Sequence, residues 1–468
     1  MSTMQPSDNL LWQQGQSIEI EIEDLADSGD GVGRWQQRVV FVPDTVVGDR
    51  VRVRLVRVKP QYGRGKVLEV LQPSPNRQRP PCIVADKCGG CQWQQVKYEA
   101  QLQAKHRQVV QALDRIGGFD RVKVDAVLTT GEALGYRNKS TYPVRRSSTG
   151  AVKVGYYQKG THKLVNLNQC PVQDARLDPF LAQIKKDIET RKWRVYDETR
   201  KTGEVRHLGL RVGRRTGDIL LTLVARSIEL PGLEEQAKEW LRRYPNLVGV
   251  CVNINGKPTN AIFGPKTHCV AGRSFLTEVF AGLTFRLQPT TFFQVNTEAA
   301  ELIWQEIDRE LKLNGDETVI DAYCGIGTFS LPLARRVRWV IGIESHEASV
   351  EQARENARSN DLTNVHFRGG KVEVLLGEQS PIFQAESELK PDIVLLDPPR
   401  QGCDRAVLEA LLRLKVDRIA YISCKPATLA RDLGILCESG QYQLDRVQPV
   451  DLFPQTAHVE SIAFLTSC

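Results

Sequence analysis

The stretch TVIDAYCGIGTFS, residues 318–330, decides the fold class of this 468-residue chain. An apolar run ends at Asp321, glycines follow at Gly325 and Gly327, and a helical pattern begins beyond them. A glycine-rich turn between a strand and a helix lets a ligand approach the backbone at the carboxyl edge of a parallel sheet. The stretch therefore predicts a nucleotide-type cofactor site in an α/β domain.

Apolar strands and amphipathic helices alternate on both sides of this turn, from about residue 291 to the C-terminus. This alternation predicts a doubly wound, Rossmann-like parallel sheet with helices on both faces. The chain closes with two strand-like pieces, VQPVDLF and VESIAFL, which are typical of the terminal hairpin in methyltransferase sheets. We therefore expect an α/β domain of the class I methyltransferase type over residues 291–468.

Two acids are placed to complete the cofactor site. Glu344 ends the next strand, WVIGIE, where an acid accepts hydrogen bonds from a ribose diol, although it could also serve only as a favourable charge at a helix N-terminus. The missing third glycine favours S-adenosylmethionine over NAD. Asp397 ends a further strand and begins DPPRQG. Enzymes that methylate amines often carry an aromatic residue after the two prolines, and Arg400 in its place disfavours that reaction.

Cys424 follows the predicted strand RIAYIS and precedes Pro426 and a predicted helix. The positive end of a helix dipole lowers a thiol pKa, so we expect the Cys424 pKa to fall towards neutrality, with Lys425 acting in the same direction. Glu460 begins the last strand at the same sheet edge, which pairs a nucleophile with a general base. Methylation at carbon 5 of uracil needs a thiolate that adds to carbon 6, whereas methylation of nitrogen does not. The alternative is a buried structural cysteine.

Residues 16–72 consist of short alternating runs separated by Gly and Asp clusters, a pattern that predicts a small antiparallel barrel. Between residues 50 and 66 there are seven Lys or Arg and no acid. Arg50, Arg52 and Arg54 alternate along one strand, so their side chains leave one face. We expect this face to contact phosphates; the alternative is a solvated outer surface.

Four cysteines have a spacing that suggests metal binding. Cys82, Cys88 and Cys91 lie close together, and Cys170 stands beside a proline. Zinc sites more often use two C-x2-C pairs, so the spacing favours an iron–sulfur cluster over zinc. Since the group is remote in sequence from Cys424, we expect a structural or RNA-positioning role.

The remaining segments give coarser predictions. YEAQLQAKHRQVVQALDRIG predicts a helix within residues 97–123, and residues 124–290 predict a separate β-rich middle domain. Phe292 and Phe293 suit either base stacking or core packing, and core packing is favoured. The net charge of +7 is compatible with a polyanionic partner, and no apolar run reaches membrane-spanning length. We expect a cytoplasmic protein.

The order of these motifs resembles the bacterial RNA (uracil-5-)-methyltransferases over nearly the whole chain. The resemblance rests on CIVADKCGGCQWQ, GYRNK, FFQVN, DAYCGIGTF, DPPRQG, SCKP and HVES. The barrel at 16–72 is similar to a TRAM domain, an RNA-binding module of oligonucleotide-binding (OB) type. One departure is Lys425, where the family more often has Asn.

The resemblance implies roles for particular residues. Cys424 is the nucleophile, and Glu460 removes the proton from carbon 5. The implied neighbours of S-adenosylmethionine are Gln294, Tyr323, Glu344 and Asp397. The implied ligands of a 4Fe–4S cluster are Cys82, Cys88, Cys91 and Cys170. The helix at 97–123 is expected to pack on the catalytic domain rather than on the middle one.

The full prediction has six segments: a flexible tail (1–15), a TRAM barrel (16–72), an iron–sulfur cysteine segment (73–96), the helix (97–123), the middle domain (124–290) and the methyltransferase domain (291–468). The predicted product is 5-methyluridine in 23S ribosomal RNA, since family members with both a TRAM domain and a cluster mostly modify that RNA. Transfer RNA is the alternative substrate. Further alternatives are a purine N-methyltransferase and a non-catalytic RNA-binding iron–sulfur protein. We expect no membrane association and infer no obligate protein partner.

Overall fold

The computed structural model describes residues 12–377 and 391–468. Most of the predicted N-terminal tail lies outside the described residues. The chain forms two compact units. Among the described residues, the first comprises 12–86, 90–104 and 455–457, and the second comprises 87–89, 105–377, 391–454 and 458–468.

A closed five-stranded barrel forms most of the first unit, which confirms the barrel prediction. Its strands, in the order β1-β2-β3-β5-β4, are β1 (Ser17–Leu25), β2 (Gly31–Trp35), β3 (Arg38–Val42), β4 (Arg50–Val58) and β5 (Tyr62–Gln72). Alternate residues of β1 and β4 point inward, because successive side chains leave opposite faces of a strand. The inward set is apolar and fills the barrel; it includes Ile18, Ile20, Ile22, Val51, Val53 and Leu55.

Two arginines on the outward face of β4 have carboxylate partners that the sequence of β4 alone does not show. Glu19 on β1 is the register partner of Arg52 and pairs with it at 2.9 Å. Arg52 also reaches Glu69 on β5 at 2.7 Å, and Arg50 reaches Glu19 at 3.4 Å. Two of the three arginines that were expected to bind phosphate therefore already have carboxylate partners, whereas Arg54 makes no ion pair within the described residues.

The predicted helix within 97–123 is present over the whole stretch quoted for it, residues 98–117. Helix α1 spans Tyr98–Ala112 and passes into one π-helical turn, Leu113–Gly117. It ends at Gly118, whose φ of 73° is favourable for glycine. Val109, Ala112 and Leu113 pack into a core that includes residues of the methyltransferase sheet.

A seven-stranded sheet and two helices occupy most of the range 123–287. The sheet has the order β13-β12-β11-β10-β7-β8-β9. The elements are β6 (Lys123–Val124), β7 (Lys139–Arg146), β8 (Val152–Tyr157), β9 (Leu164–Asn166), α2 (Asp178–Thr190), β10 (Val205–Val212), β11 (Ile219–Ala225), α3 (Leu233–Arg243), β12 (Leu247–Ile254) and β13 (Lys266–Gly272). A separate hairpin follows, with β14 (Leu276–Phe280) and β15 (Leu283–Leu287).

The C-terminal part alternates helix and strand around an eight-stranded sheet. Its elements are α4 (Thr297–Leu311), β16 (Thr318–Ala322), α5 (Ser330–Ala334), β17 (Trp339–Glu344), α6 (Glu347–Ser359), β18 (Val365–Gly369), α7 (Val372–Leu375), β19 (Ile393–Leu396), α8 (Arg405–Leu414), β20 (Arg418–Ser423), α9 (Pro426–Glu438), β21 (Tyr442–Val450) and β22 (Glu460–Ser467). The sheet order is β18-β17-β16-β19-β20-β22-β21-β6.

Five of these strands, β16 to β20, run parallel, and β22 pairs antiparallel with both β20 and β21. Every residue of β16 and β19 is buried, as expected of strands covered on both faces. The short strand β6 extends the sheet by pairing with β21. The described helices include none that is both long and apolar enough to cross a membrane.

Candidate active site

The glycine-rich turn after β16 has an open backbone on one side. Tyr323, Gly325 and Gly327 have φ values of 69°, 57° and 83°. A Cβ atom added at Gly325 would meet no atom within 4 Å, whereas one at Gly327 would lie 3.0 Å from the Phe367 ring. Gly325 thus leaves space for a ligand, and Gly327 allows the close packing that fixes the turn.

Glu344, at the end of β17, is tied to this turn. Its carboxylate accepts hydrogen bonds from the backbone N–H of Gly325 at 3.2 Å and of His346 at 2.7 Å. The side chain remains partly exposed. Because each carboxylate oxygen can accept more than one hydrogen bond, Glu344 keeps capacity for a ribose diol. The turn and this acid together fit the adenosine part of S-adenosylmethionine.

Two more carboxyl groups lie at this sheet edge. Burial raises the pKa of Asp321 to about 7, and the negative charges of Asp397 and Glu344 act in the same direction. Asp321 accepts a hydrogen bond from the Ser330 hydroxyl. Burial also raises the pKa of Asp397 to about 7. Since Ala322 and Leu396 are register partners, the residues that follow them, Tyr323 and Asp397, leave neighbouring strands at the same level.

Cys424 directly follows strand β20, and Glu460 begins the adjacent antiparallel strand β22. Ser423 at the end of β20 is the register partner of Ser461 on β22. Because the strands are antiparallel, Cys424, the residue after Ser423, lies opposite Glu460, the residue before Ser461. Glu460 is only 4 % exposed, and its charge acts on the Cys424 thiol. The sheet therefore delivers a thiol and a carboxylate to one place.

The expected lowering of the Cys424 pKa is wrong. Burial raises the pKa of the thiol to about 11, and the negative charges of Glu460 and Asp397 add to that rise. Arg400 opposes it. Lys425 is the N-cap residue of α9, but its side chain is exposed. Desolvation and neighbouring carboxylates therefore outweigh the position of the thiol before a helix.

Arg400 is a residue whose role the sequence interpretation missed. It was read only as a missing aromatic residue, yet its charge lowers the pKa of both Cys424 and Glu460. Burial nevertheless keeps the Glu460 pKa well above its ordinary value, with Asp397 contributing. The signal was available in DPPR, because a cation that follows a strand end lies at the edge where Cys424 and Glu460 are expected.

Gln294 and Tyr323 have different surroundings. Gln294 is 6 % exposed, and its backbone carbonyl oxygen accepts a hydrogen bond from Asn138 Nδ2 at 2.9 Å. No hydrogen bond joins its side chain to Tyr323 in the described ranges. Burial, followed by the nearby Cys403 thiol, raises the Tyr323 pKa.

The preference for core packing of both phenylalanines is half right: Phe293 is 1 % exposed, but Phe292 is 65 % exposed.

The described structure gives no support for a metal site at the four cysteines predicted to bind a cluster. Across residues 12–377 and 391–468, no three His, Cys, Asp or Glu side chains are grouped so that they could hold a metal ion. Cys88 pairs with Gln158 in an isolated β-bridge, and the Cys170 N–H donates to Asp178 at 3.1 Å. The structure therefore does not support the predicted cluster.

Comparison with known proteins identifies the class. Residues 265–468 match the tRNA (Uracil-5-)-methyltransferase family model, and residues 11–68 match the TRAM domain model. An uncharacterized RNA methyltransferase of Nostoc sp. is 60 % identical over 454 residues, which cover 97 % of each chain. One from Halalkalibacterium halodurans is 38 % identical over 448 residues, or 96 % of each chain. The chain belongs to this RNA methyltransferase family, and it is an S-adenosylmethionine-dependent RNA (uracil-5-)-methyltransferase.

A solved structure is similar over the same length. The Pyrococcus abyssi tRNA (uracil-54, C5)-methyltransferase, in complex with S-adenosyl-L-homocysteine, is 26 % identical. The match covers 96 % of this chain and 100 % of that one, with a TM-score of 0.75. That relation agrees with the methyltransferase fold of the C-terminal part.

Proposed function

We propose that this enzyme forms 5-methyluridine in 23S ribosomal RNA, with Cys424 as the covalent nucleophile and Glu460 as the general base. The observation that carries the proposal is that a thiol and a buried carboxylate lie at the ends of adjacent strands, since Ser423 pairs with Ser461. Methylation of a ring nitrogen would need neither a thiol nor a base at this position. Uracil carbon 5 needs both.

The reaction begins when the Cys424 thiol loses its proton to solvent and the thiolate adds to carbon 6. The electron pair of the carbon 5–carbon 6 double bond then shifts towards oxygen 4, and carbon 5 becomes nucleophilic. Bound S-adenosylmethionine supplies the methyl group that carbon 5 accepts. Glu460 removes the proton from carbon 5, the double bond forms again, and the bond between Cys424 and carbon 6 breaks.

The Cys424 thiol must lose its proton before it can act as a nucleophile. With a pKa of about 11, the Cys424 thiol is protonated at neutral pH. Arg400 lowers the pKa of both Cys424 and Glu460, so its charge favours the thiolate and the carboxylate that the reaction needs. We assign Arg400 the role of tuning these two groups.

The cofactor residues of the proposal are Gln294, Tyr323, Glu344 and Asp397. Support comes from the open backbone at Gly325 and from the carboxylate of Glu344 beside it. The sheet order supports assignment to the Rossmann-like class I methyltransferases. We also retain the six domain boundaries of the sequence analysis, and the cytoplasm as the place of action.

Transfer RNA is a second candidate substrate, because both the matching family model and the Pyrococcus abyssi neighbour are named for tRNA. The 4Fe–4S cluster on Cys82, Cys88, Cys91 and Cys170 stays a prediction, and no reaction step depends on it. Iron and acid-labile sulfide in protein purified without oxygen would support it; their absence would count against it.

The proposal is tested with RNA that contains 5-fluorouridine, because fluorine replaces the proton that Glu460 removes. Wild-type enzyme with the methyl donor and a fluorinated 23S transcript should form an adduct that survives a denaturing gel. Cys424→Ala should form none. Cys269→Ala, which removes an exposed thiol on β13, should behave like the wild type.

The substrates are separated by running fluorinated 23S and tRNA transcripts side by side. An adduct with the tRNA transcript alone would show that the substrate is tRNA and not 23S RNA, and it would leave the proposed mechanism intact. An adduct in Cys424→Ala, or none with either RNA, would refute the mechanism.

A further inference from the structure

Three cationic side chains meet where β7 joins the loop before α4. Lys139 on β7 and Arg211 on β10 are register partners, and Arg137 precedes β7. Lys139 Nζ donates to the Thr291 carbonyl oxygen at 3.2 Å, and Arg211 donates to the same oxygen at 2.7 Å. Arg137 donates to the Lys139 carbonyl oxygen at 3.0 Å. We call Arg137, Lys139 and Arg211 the cation cluster.

The cluster has no carboxylate of its own. None of its members forms an ion pair in the part of the chain that the structure describes. Glu278 acts on Arg211 from a distance, but its carboxylate is already bound by the backbone N–H groups of Arg214 and Arg215 at 2.7 and 3.0 Å. Within the described residues, no carboxylate therefore pairs with the cluster.

Such an arrangement is costly without a ligand. Arg211 is 3 % exposed, and its Nε has no hydrogen-bond partner. Burial, followed by the charges of Arg211 and Arg137, lowers the pKa of Lys139 to about 6. A buried charge is normally paired or neutralised, and strongly perturbed groups collect at functional sites. An anion at the cluster would remove this cost.

The surroundings of the cluster suit a nucleotide. Thr291, whose carbonyl binds both Lys139 and Arg211, directly precedes Phe292, and the Phe292 ring is 65 % exposed. The Lys139 ammonium lies 5.4 Å from the centroid of the Phe263 ring, which the loop between β12 and β13 carries. Cations next to accessible aromatic rings are the usual means of holding single-stranded RNA, with phosphate on the cation and a base on the ring.

We propose that Lys139, supported by Arg137 and Arg211, binds a backbone phosphate of the RNA substrate. The inference rests on the proposed function, since it needs RNA as the substrate. A carboxylate of the bound methyl donor is a second possible source of the anion, because Gln294 lies in the same loop. The RNA phosphate is favoured because the exposed Phe292 ring can stack on a base next to that phosphate. The carboxylate end of the methyl donor carries no base for this ring to contact.

The test is the salt dependence of binding to a fluorescein-labelled oligouridylate, measured by anisotropy. Each phosphate contact on single-stranded nucleic acid contributes about 0.7 to the slope of log Kd against log salt. Lys139→Met should lower that slope by about 0.7, and Lys139→Arg should keep it. Lys238→Met removes the same charge from an exposed position on α3 and should leave the slope unchanged.

Two controls keep the result specific. Methionine suits a buried site, so Lys139→Met should melt at the same temperature as the wild type or above it. Its affinity for S-adenosylhomocysteine should be unchanged. An unaltered salt slope in Lys139→Met, or an equal fall in Lys238→Met, would overturn the inference. A loss of S-adenosylhomocysteine affinity with an unaltered slope would assign the cluster to the methyl donor instead.

These outcomes are separate from failure of the proposed function. The 5-fluorouridine adduct tests the chemistry at Cys424 and does not depend on which residue holds a phosphate. Wild-type enzyme that forms the adduct, together with a Lys139→Met variant of unaltered slope, would leave the methyltransferase mechanism intact and remove only the phosphate site.

Discussion

The arginine-rich strand β4 of the barrel and the cation cluster of the second unit carry positive charge in opposite ways. On β4 the charges are obvious in the sequence, and neighbouring strands supply Glu19 and Glu69 to Arg50 and Arg52. In the cluster, Lys139 and Arg211 are far apart in the sequence, and they meet without an acid. A run of basic residues is therefore a weaker indication of an anion site than a few buried cations without partners.

The same contrast applies to carboxylates. Glu19 is exposed, and its pKa is lowered, chiefly by its hydrogen bond with Arg52. Glu460 is buried, makes no ion pair in the described ranges, and has a raised pKa because burial outweighs the charge of Arg400. A group that the fold keeps in an unfavourable environment is a better candidate for chemistry than one that the fold satisfies.

The largest expected effect comes from removing the charge of Glu460. Glu460→Gln should lower the rate of turnover to free 5-methyluridine by about 10²- to 10⁴-fold, the usual contribution of a general base. The covalent complex with ordinary uridine RNA should accumulate, because the proton on carbon 5 can no longer be removed. Both effects are measured with a labelled methyl donor, followed by a denaturing gel.

Glu278→Gln is the matched control for Glu460→Gln. Glu278 is also a buried carboxyl group whose pKa burial raises, but it accepts hydrogen bonds from backbone N–H groups. Its replacement should change the rate by only a few-fold. If Glu460→Gln kept near-wild-type turnover, Glu460 would not be the base.

The sequence indicated the strand ends better than it indicated their environment. β20 and β22 were visible as apolar runs, so Cys424 and Glu460 could be placed at one sheet edge from the pattern alone. The direction of the Cys424 pKa could not be predicted, because it depends on how much of the thiol is buried and on Asp397 and Glu460, which reach it through long-range strand pairing. A helix N-terminus is a local feature, whereas desolvation is a tertiary one.

The exposure of single side chains and the pairing of residues across strands could not be predicted from the sequence either, because both depend on tertiary structure. Phe292 and Phe293 are adjacent and identical, yet one is exposed and the other lies in the core, which depends on tertiary packing and not on residue type. The meeting of Lys139 with Arg211 depends on the register of β7 against β10, which neither strand encodes by itself. The barrel interior was predictable because its two-residue period is local.

An intermediate effect is expected in the pH dependence of stability. With a pKa of about 6 in the folded protein and an ordinary value near 10.5 when unfolded, Lys139 binds one proton more in the unfolded state between those limits. Stability then rises with pH across that window, by at most about 1.4 kcal/mol per pH unit. Raising the pH from neutrality should therefore stabilise the wild type relative to Lys139→Met. Urea unfolding of both proteins at several pH values measures the difference, and parallel curves would show that Lys139 is charged in the RNA-free protein.

The smallest effect separates two arginines of the same barrel strand. Arg52 already forms ion pairs with Glu19 and Glu69, so an RNA phosphate would have to displace these carboxylates in order to bind Arg52. Arg54 makes no ion pair within the described residues, so it is the better phosphate ligand on β4. Arg54→Gln should lower the salt slope of oligouridylate binding by up to about 0.7, whereas Arg52→Gln should lower it less. Neither should change the melting temperature measurably, because both side chains are exposed. Equal slopes for the two variants would mean that carboxylate partners on the barrel do not decide which arginine meets RNA.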